Sequence, residues 1–416
     1  MKKTNPPYIQ IFEHESLHVG EERKGVVFTE QHWRELLARN ERQYPPYFQI
    51  IHKGIRALHY VGLMAVPGFT LEILPKTDAQ EKIHWQLFLL DMLQACGKLP
   101  HTSVPALLSA EQGKLSDFFI NAFLREVEQL CQEGLLRKYR RAYSNEHKFS
   151  GRILLHEHVR RNYVHKERVY AEHQRFDTQH ILHEVIREAL TYTLQLSQAA
   201  DVQHRIQKLL SILPTNTVKI DLRSIEKLKL GREDIRYQKA LEWANFILLK
   251  LKPQFRMGRL STTCFMIDMQ QLFEEYVGLQ LKQTAPLFGC RIQRQASSKF
   301  WKQRSIRPDM VLSTAAGENI ILDTKWKMLK HGQPGDADLK QIYIYNQFFK
   351  AERGILLYPS QGSYRNYAST FHHPSTSPLS CELYFLDLMD SHSHRLSKNW
   401  AEKLLEQMLK RKSISG

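Results

Sequence analysis

The sequence lacks any apolar run as long as a membrane-spanning helix, about 18 residues, so an integral membrane protein of that kind is excluded. Its first residues, MKKTNPPYIQIFEHE, include basic side chains but no apolar stretch, and we expect no secretory signal. Cysteine is scarce, and Cys96, Cys131, Cys264, Cys290 and Cys381 include no CxxC pair. Neither a disulfide framework nor a zinc ribbon is therefore indicated, and we expect a reducing cytoplasm.

Several catalytic motifs are also missing. The chain has no G-x-x-x-x-G-K-[ST] phosphate loop, no Rossmann G-x-G-x-x-G and no G-x-S-x-G. Histidine is abundant, at 20 residues, but its local pairs lack the HExxH or double-pair spacing of zinc sites. These pairs are His156/His158, His180/His183, His372/His373 and His392/His394. We therefore expect no zinc site ligated by histidine or cysteine.

Positive charge is in excess: the sequence has 59 Lys and Arg residues and 43 Asp and Glu residues, which gives a net charge of +16. Such an excess favours a polyanionic partner, most often nucleic acid, although many basic proteins only have a solvated basic surface. The 416 residues, 42% of them hydrophobic, are typical of a globular protein with two to four domains.

The first part, residues 1–105, is predicted to be a β-rich domain. The runs ALHYVGLMAVP and FTLEILPK are apolar and partly alternating, and Pro67-Gly68 between them suits a tight turn. These runs predict a β-hairpin. An apolar helix is predicted to follow at about Glu81–Cys96, and Gly97 is a suitable stop.

The second part, residues 106–255, is predicted to be mainly helical, because two sets of apolar residues recur at helical spacing. The sets are Phe119, Ala122, Phe123, Val127 and Leu130, and Leu182, Val185, Ile186, Ala189 and Leu190. Between them, KYRRAYSNEHKFSGRILLHEHVRRNYVHKERVY mixes basic and aromatic residues, which suits phosphate contact and base stacking. Candidate DNA-binding residues are Arg140, Arg141, Arg160 and Arg161. The alternative is a polar connector packed on the surface.

The third part, residues 256–416, is predicted to be an α/β domain. A helix (MIDMQQLFEEYVGLQLKQT) precedes three short β runs, CRIQRQAS, SIRPDMVLST and NIILDTKWK. A helix-compatible segment (DADLKQIYIYNQFFK), the strands GILLYP and CELYFLDL and a terminal helix (397–412) follow.

The residues that carry chemistry lie in RPDMVLSTAAGENIILDTKWK. Asp323 and Lys325 are two apart on a strand, so their side chains project to the same side. The stretch AAGEN predicts a hairpin turn that brings Asp309 beside them. Carboxylate oxygens hold Mg²⁺, which acidifies a water and stabilises a charged transition state. A lysine orients or deprotonates the attacking water, or neutralises charge on the phosphate. The pattern indicates phosphodiester hydrolysis. The alternative is a surface hairpin with an ordinary Asp–Lys pair.

These residues resemble the PD-(D/E)xK nuclease superfamily, with Pro308-Asp309 as the first half of its motif and Asp323-Thr324-Lys325 as the second. The resemblance implies a restriction-endonuclease-like fold for 256–416. It implies that Gln341 and Tyr345, a Q-x-x-x-Y pair, support the site. It also implies that Glu274 completes a metal site with Asp309 and Asp323, with Glu275 as a close rival.

A narrower resemblance covers most of the chain. YVGLMAVPGFTLEILPK, EHKFSGRILLHEHVRRN, DMQQLFEEYV and RPD…LDTKWK…DLKQIYIY are similar, in this order, to stretches of the McrC family. Members of this family are nuclease subunits of McrBC-type restriction systems, which defend against foreign DNA. One departure lies in FDTQHILHEVIREAL, where the family predicts an Asn near His180.

The McrC resemblance implies a partner, an McrB-like AAA+ GTPase that carries the nucleotide chemistry. Docking on that motor is expected within residues 1–105, including the hairpin and Glu72–Lys76. It further implies a Mg²⁺ cofactor, a methylated DNA substrate and pairing of nuclease subunits for double-strand cutting. Two alternatives stay open, namely a nuclease subunit indifferent to methylcytosine and a non-catalytic adaptor that regulates an AAA+ motor.

Overall fold

The chain divides into two compact units. The first combines Pro6–His101 with Leu260–Gly416, and the second contains Thr102–Arg259. The computed structural model describes residues 7–41, 45–66, 68–75, 85–100, 114–148, 151–197, 199–215, 230–251, 263–327, 329, 332–360, 365–372, 379–390 and 395–410. The predicted first and third domains therefore share one unit, and their functional division stays a prediction.

The N-terminal segment of the first unit is β-rich. Its elements are β1 (Tyr8–Phe12), β2 (Ser16–His18), β3 (Glu22–Arg23), β4 (Val26–Val27), α1 (Glu30–Asn40), β5 (Phe48–Ile51), β6 (Gly54–Ala57), β7 (Tyr60–Val66), β8 (Phe69–Leu74) and α2 (Trp85–Ala95). Strand β1 runs parallel to β8, and β2, β6 and β5 form a separate antiparallel sheet. Buried apolar side chains of both sheets, such as Ile9, Leu17, Phe48 and Leu71, share one core.

Strands β7 and β8 form the predicted antiparallel hairpin, with Val66 paired to Phe69. Gly68 takes a φ of +94°, a left-handed value that glycine adopts without the steric cost of a Cβ. Pro67 lies outside the described residues. Gly97 follows α2 with a φ of +65°, as expected for a helix stop. Residues 81–84 of the predicted helix also lie outside the described part.

The described part of the second unit contains helices and one small sheet. Its elements are α3 (Leu115–Gln132), β9 (Lys138–Glu146), β10 (Arg152–Ile153), α4 (Leu155–Asn162), β11 (Val169–Asp177), α5 (Ile181–Leu196), α6 (Ala200–Ile212) and α7 (Gln238–Phe246). The two predicted apolar sets are buried on α3 and α5. The basic stretch was not predicted as strands, but it contains β9, β10 and the start of β11, which form the antiparallel sheet β10-β11-β9, and it also contains helix α4. The less exposed face of β9 carries polar residues such as Lys138, Arg140 and Ser144, so the sequence shows no apolar period of two.

The C-terminal segment returns to the first unit. Its elements are β12 (Thr263–Asp268), α8 (Met269–Thr284), β13 (Arg291–Arg294), β14 (Ser298–Trp301), β15 (Arg304–Ile306), β16 (Met310–Ser313), β17 (Asn319–Thr324), α9 (Asp336–Phe348), β18 (Arg353–Ser360), β19 (Tyr367–Thr370), β20 (Ser380–Asp387) and α10 (Trp400–Lys410). Strand β12 pairs antiparallel with β7, which joins this segment to the N-terminal sheet. The predicted helices and the main strands are present, whereas β12, β14, β15 and β19 were not predicted. Met266–Asp268, predicted as the start of the helix, belong to β12, and the helix begins at Met269.

A six-stranded mixed sheet positions the site. Its order is β13-β16-β17-β18-β20-β19. Strands β17, β18 and β20 run parallel, and β13, β16 and β17 form an antiparallel meander. Helix α9 crosses from β17 to β18 and packs against both. The architecture is therefore the predicted mixture of α and β structure.

Candidate active site

The β16–β17 hairpin brings Asp309 and Asp323 together. Met310 pairs with Leu322, so Asp309 lies beside the end of β17 that carries Asp323. The turn closes through a hydrogen bond from Thr314 N to Glu318 O. Thr324 N and Oγ1 donate to Asp309 Oδ2 at 2.7 and 2.6 Å. These two bonds fix the Asp309 carboxylate against the adjacent strand.

The two carboxyl groups are costly to keep ionised together. Burial, and then the nearby charge of Asp323, raise the pKa of Asp309 from 3.8 to about 6. Asp323 is only 2% exposed, and burial raises its pKa as well, against the pull of Lys325. Two adjacent carboxylates in a low-dielectric environment favour the binding of a cation, because the cation offsets the repulsion between them.

Lys325 supplies a cation to this pair. Its Nζ lies 2.7 Å from Asp323 Oδ2 and donates to Gln341 Oε1 at 2.8 Å. Burial opposes the charged form of Lys325, but the neighbouring carboxylates, led by Asp323, raise its pKa above 10.5. The lysine is therefore an ammonium group at neutral pH in this arrangement. Its contact with Asp323 agrees with the side-chain direction predicted from their spacing.

Glu274 approaches the pair from helix α8. Gln295 Nε2 donates to Glu274 Oε1 at 2.9 Å, and burial followed by the charge of Asp309 raises the pKa of Glu274. Glu275 instead forms an ion pair with Lys98 at 2.7 Å. The structure thus brings Glu274, and not Glu275, into the electrostatic reach of the site.

Gln341 and Tyr345 lie one turn apart on α9 and form a chain of hydrogen bonds. Gln341 Nε2 donates to Tyr345 Oη at 2.8 Å, and Tyr345 Oη donates to Arg307 O at 3.1 Å. The same Gln341 accepts from Lys325. The helix therefore holds the lysine on one side and the backbone leading to Asp309 on the other.

Two polar residues of the site were not predicted from the sequence. Asp338, buried in the first turn of α9, forms an ion pair with Lys327 and lies 3.6 Å from Lys325 Nζ. Gln270 on α8 donates to Thr324 O at 2.7 Å and accepts from Trp326 N at 2.8 Å. Acidic residues are common in the first turn of helices, and a glutamine on a helix does not by itself indicate a site. Asp338 and Gln270 can therefore be assigned to the site only from the tertiary structure.

Trp326, the residue after Lys325, faces the core. Its indole Nε1 donates to Glu13 Oε1 at 2.6 Å, and its ring packs edge-on to Phe273 and stacks against Phe88. Glu13 is 2% exposed. The segment behind the lysine is therefore fixed by buried contacts with the N-terminal sheet.

The four candidate DNA-binding arginines do not form one cluster. Arg140 and Arg141 are neighbours on β9 and so point to opposite faces, pairing with Asp177 and Glu172 respectively. Arg160 and Arg161 on α4 both pair with one acid, Glu157. Each of the four is engaged with a carboxylate, and their contact with DNA stays a prediction.

Part of the predicted docking stretch is not at the surface. Glu72 is fully buried on β8 and accepts hydrogen bonds from Gln10 and Gln86, and Ile73–Pro75 are also buried. Glu72–Leu74 therefore belong to an interior strand and are covered in the chain by itself, and docking within residues 1–105 stays a prediction. Lys76 lies outside the described residues.

The departure at His180 has a simple structural counterpart. His180 is the N-cap of α5, and its Nδ1 accepts from Leu182 N at 3.3 Å. Asparagine performs the same capping task well, so the substitution changes the cap of a helix.

Two features are absent from the described residues. No helix there is long and apolar enough to cross a membrane. No three His, Cys, Asp or Glu side chains of those residues are gathered closely enough to enclose a metal ion as they stand. Asp309, Asp323 and Glu274 nevertheless supply the carboxylate oxygens that Mg²⁺ prefers.

The comparisons with known proteins agree on one family. A model of the McrBC 5-methylcytosine restriction system component family matches residues 55–359. No curated protein matches the chain. A chain from the refined half-complex of the tetradecameric assembly of Thermococcus gammatolerans McrB AAA+ hexamers with bound McrC is 19% identical, with a TM-score of 0.73 over 96% of this chain and 100% of that one.

A second solved structure is similar over a smaller part. It is the cryo-EM structure of the Thermococcus gammatolerans McrBC complex, 18% identical, with a TM-score of 0.52 over 66% of this chain and 87% of the matched chain. These likenesses concern the fold. Because the family model matches most of the sequence, this chain belongs to the McrBC 5-methylcytosine restriction system component family.

Proposed function

We propose that this protein is the nuclease subunit of an McrBC-type restriction system and hydrolyses DNA phosphodiesters with Mg²⁺. The observation that carries the proposal is the convergence of Asp309, Asp323 and Lys325 at one end of the β16–β17 hairpin. Two carboxylates can hold a metal ion and a lysine can act on the water or the phosphate, which suits metal-assisted phosphodiester hydrolysis. An ordinary surface ion pair would not require burial of Asp323.

Asp309 and Asp323, with Glu274, would hold the metal. When bound, Mg²⁺ supplies an acidified water and stabilises negative charge on the phosphate. The ammonium of Lys325 neutralises charge on a phosphate oxygen and orients the attacking water by donating a hydrogen bond. Gln341 and Tyr345 keep that ammonium and the Asp309 backbone in fixed relation.

We further propose that the chain acts with an AAA+ GTPase in the cytoplasm. The sequence has no phosphate loop of its own, and the similar solved chains come from assemblies with McrB AAA+ hexamers. Residues 1–105 are the proposed docking region. Because one site cuts one strand, double-strand cleavage would use two copies of the chain.

The test is plasmid cleavage by this chain with its GTPase partner, GTP and Mg²⁺, on methylated and unmethylated DNA. Asp323→Ala and Lys325→Ala are expected to abolish cutting while GTP hydrolysis by the partner is still stimulated. The matched control is Asp336→Ala, an exposed acid on α9, which is expected to cut as the unmodified chain does.

The outcomes separate the candidate functions. Cutting that needs GTP and methylation, and is lost in both site variants, supports the proposal. Cutting that ignores methylation would indicate a related nuclease subunit. Stimulated GTP hydrolysis without cutting by any version would indicate an adaptor and reject the nuclease function.

A further inference from the structure

A short basic hairpin stands directly before the candidate active site. It consists of β14, β15 and the turn between them, Ser298–Ile306, which we call the basic hairpin. Residues 299–305 are all exposed, and Phe300 and Trp301 are 50% and 56% exposed. Exposed aromatic rings interleaved with cations suit contact with nucleic acid.

The charged side chains of this region are all basic. No Asp or Glu occurs between Glu275 and Asp309, whereas the stretch contains seven Lys and Arg residues. Lys299, Lys302 and Arg304 on the basic hairpin have no ion pair with an acid in the part of the chain that the structure describes. They differ in this from the four arginines on β9 and α4. Phosphate can therefore bind them without breaking an existing ion pair.

The aromatic residues organise these cations. Lys302 Nζ lies 4.9 Å from the Trp301 ring centroid, and Arg304 Cζ lies 5.8 Å from it. Cation–π contacts of this kind hold both charged groups near the same indole ring. Trp301 thus presents an apolar surface flanked by two cations.

The root of the basic hairpin is fixed to the site. Phe300 packs edge-on against Phe348 at the end of α9, with ring centroids 5.5 Å apart. Arg307, the residue after the hairpin, accepts through its carbonyl from Tyr345 Oη, and Asp309 follows two residues later. A ligand held by the hairpin is therefore held at a fixed distance from the Asp309 carboxylate.

We propose that the basic hairpin binds the sugar–phosphate backbone of duplex DNA next to the bond to be cut. Lys302 and Arg304 contact phosphates, and Trp301 lies against the sugars between them. The proposal rests on the nuclease function for its location, but it concerns DNA binding, which is measured without cleavage.

The experiment measures binding of the full chain to a fluorescent duplex by anisotropy, in chelator and over a range of salt concentrations. One variant is Lys302→Gly with Arg304→Ala. Glycine is chosen because residue 302 has a φ of +51°, where glycine is unstrained. The matched control, Lys398→Ala with Lys403→Ala, removes two exposed cations near α10. Thermal melting checks that each variant is folded.

The expected result has two parts. Loss of both cations weakens duplex binding about tenfold and lowers the slope of log K against log salt by about 2, roughly 1 for each phosphate contact. Trp301→Ala also weakens binding but leaves that slope unchanged, because it removes apolar contact and no charge. The control keeps the affinity and slope of the unmodified chain.

Other outcomes overturn the inference. These are no duplex binding by the unmodified chain, equal losses in the hairpin variant and the control, or full DNA binding with lost association to the GTPase partner. The last would identify a protein-docking surface. If the hairpin variants lose binding as expected while no version cuts DNA, the inference holds and the nuclease proposal fails.

Discussion

Replacing Asp309 by Asn is expected to stabilise the metal-free protein at neutral and alkaline pH. The folded structure keeps this carboxyl group buried beside Asp323, which raises its pKa from 3.8 to about 6. An unfolded chain has no such penalty. Removing the charge removes the penalty, at the cost of weaker acceptance of the two hydrogen bonds from Thr324.

The magnitude follows from linkage. A rise of about 2 pKa units corresponds to about 3 kcal/mol once the carboxyl group is ionised in both states. The pKa of Asp309 is higher in the folded state than in the unfolded state. The contribution of this residue to the free energy of unfolding is therefore fully present below pH 3.8 and is lost as the pH rises through about 6. The variant does not have this loss. With part of the gain offset by the weaker hydrogen bonds, we expect about 1 to 3 kcal/mol.

The assay is urea unfolding of both proteins in chelator, at about pH 4 and about pH 8, on either side of the titration. The difference in unfolding free energy is expected near pH 8 and almost absent near pH 4. Asp336→Asn, an exposed acid on α9, is the control and is expected to change little. An equal gain at both pH values, or destabilisation near pH 8, would refute the electrostatic reasoning.

Three further predictions concern buried contacts. Trp326→Phe removes the indole donor from the buried Glu13 carboxylate and should lower the unfolding free energy by about 2 kcal/mol in urea titrations. Gly354→Ala places a Cβ 2.3 Å from Ile342 Cγ2, which overpacks the core. The free energy of unfolding should fall by about 1 to 3 kcal/mol, and the melting temperature should fall with it. Burial lowers the pKa of His183 below 6.5, and the unfolded chain therefore takes up a proton first as the pH falls. His183→Gln should accordingly lose less stability than the unmodified chain between about pH 7 and about pH 5, as urea unfolding at both values will test.

The sequence predicted those features that depend on local patterns. The β7–β8 hairpin follows from two apolar runs around a turn, and α8 and α9 follow from helical spacing. The meeting of Asp309, Asp323 and Lys325 follows from the two-residue period of a strand and one short turn. Each of these features involves residues that are close in the sequence, and their spacing along the chain allows few backbone geometries.

The features that were not predicted depend on contacts between distant residues. Asp338 is buried because α9 packs its first turn over Lys325 and Lys327, which its local sequence does not reveal. The strands β14 and β15 are exposed on both faces and have no apolar alternation. The burial of Glu72 depends on β1 and α2 covering β8, so a charged residue on an interior strand was taken for surface.

The pairing of β12 with β7 has a consequence for how the protein is made. Tyr60 pairs with Asp268, and the whole second unit lies between them in the chain. During synthesis, the outer edge of β7 therefore has unpaired backbone groups until β12 leaves the ribosome. A fragment that ends near residue 105 would retain this open edge, which is prone to pair with other chains. Thr102–Arg259 of the second unit is synthesised before β12 and belongs to a compact unit, so it can fold earlier. The first sheet of the nascent chain thus remains incomplete until the strand before α8 has been synthesised.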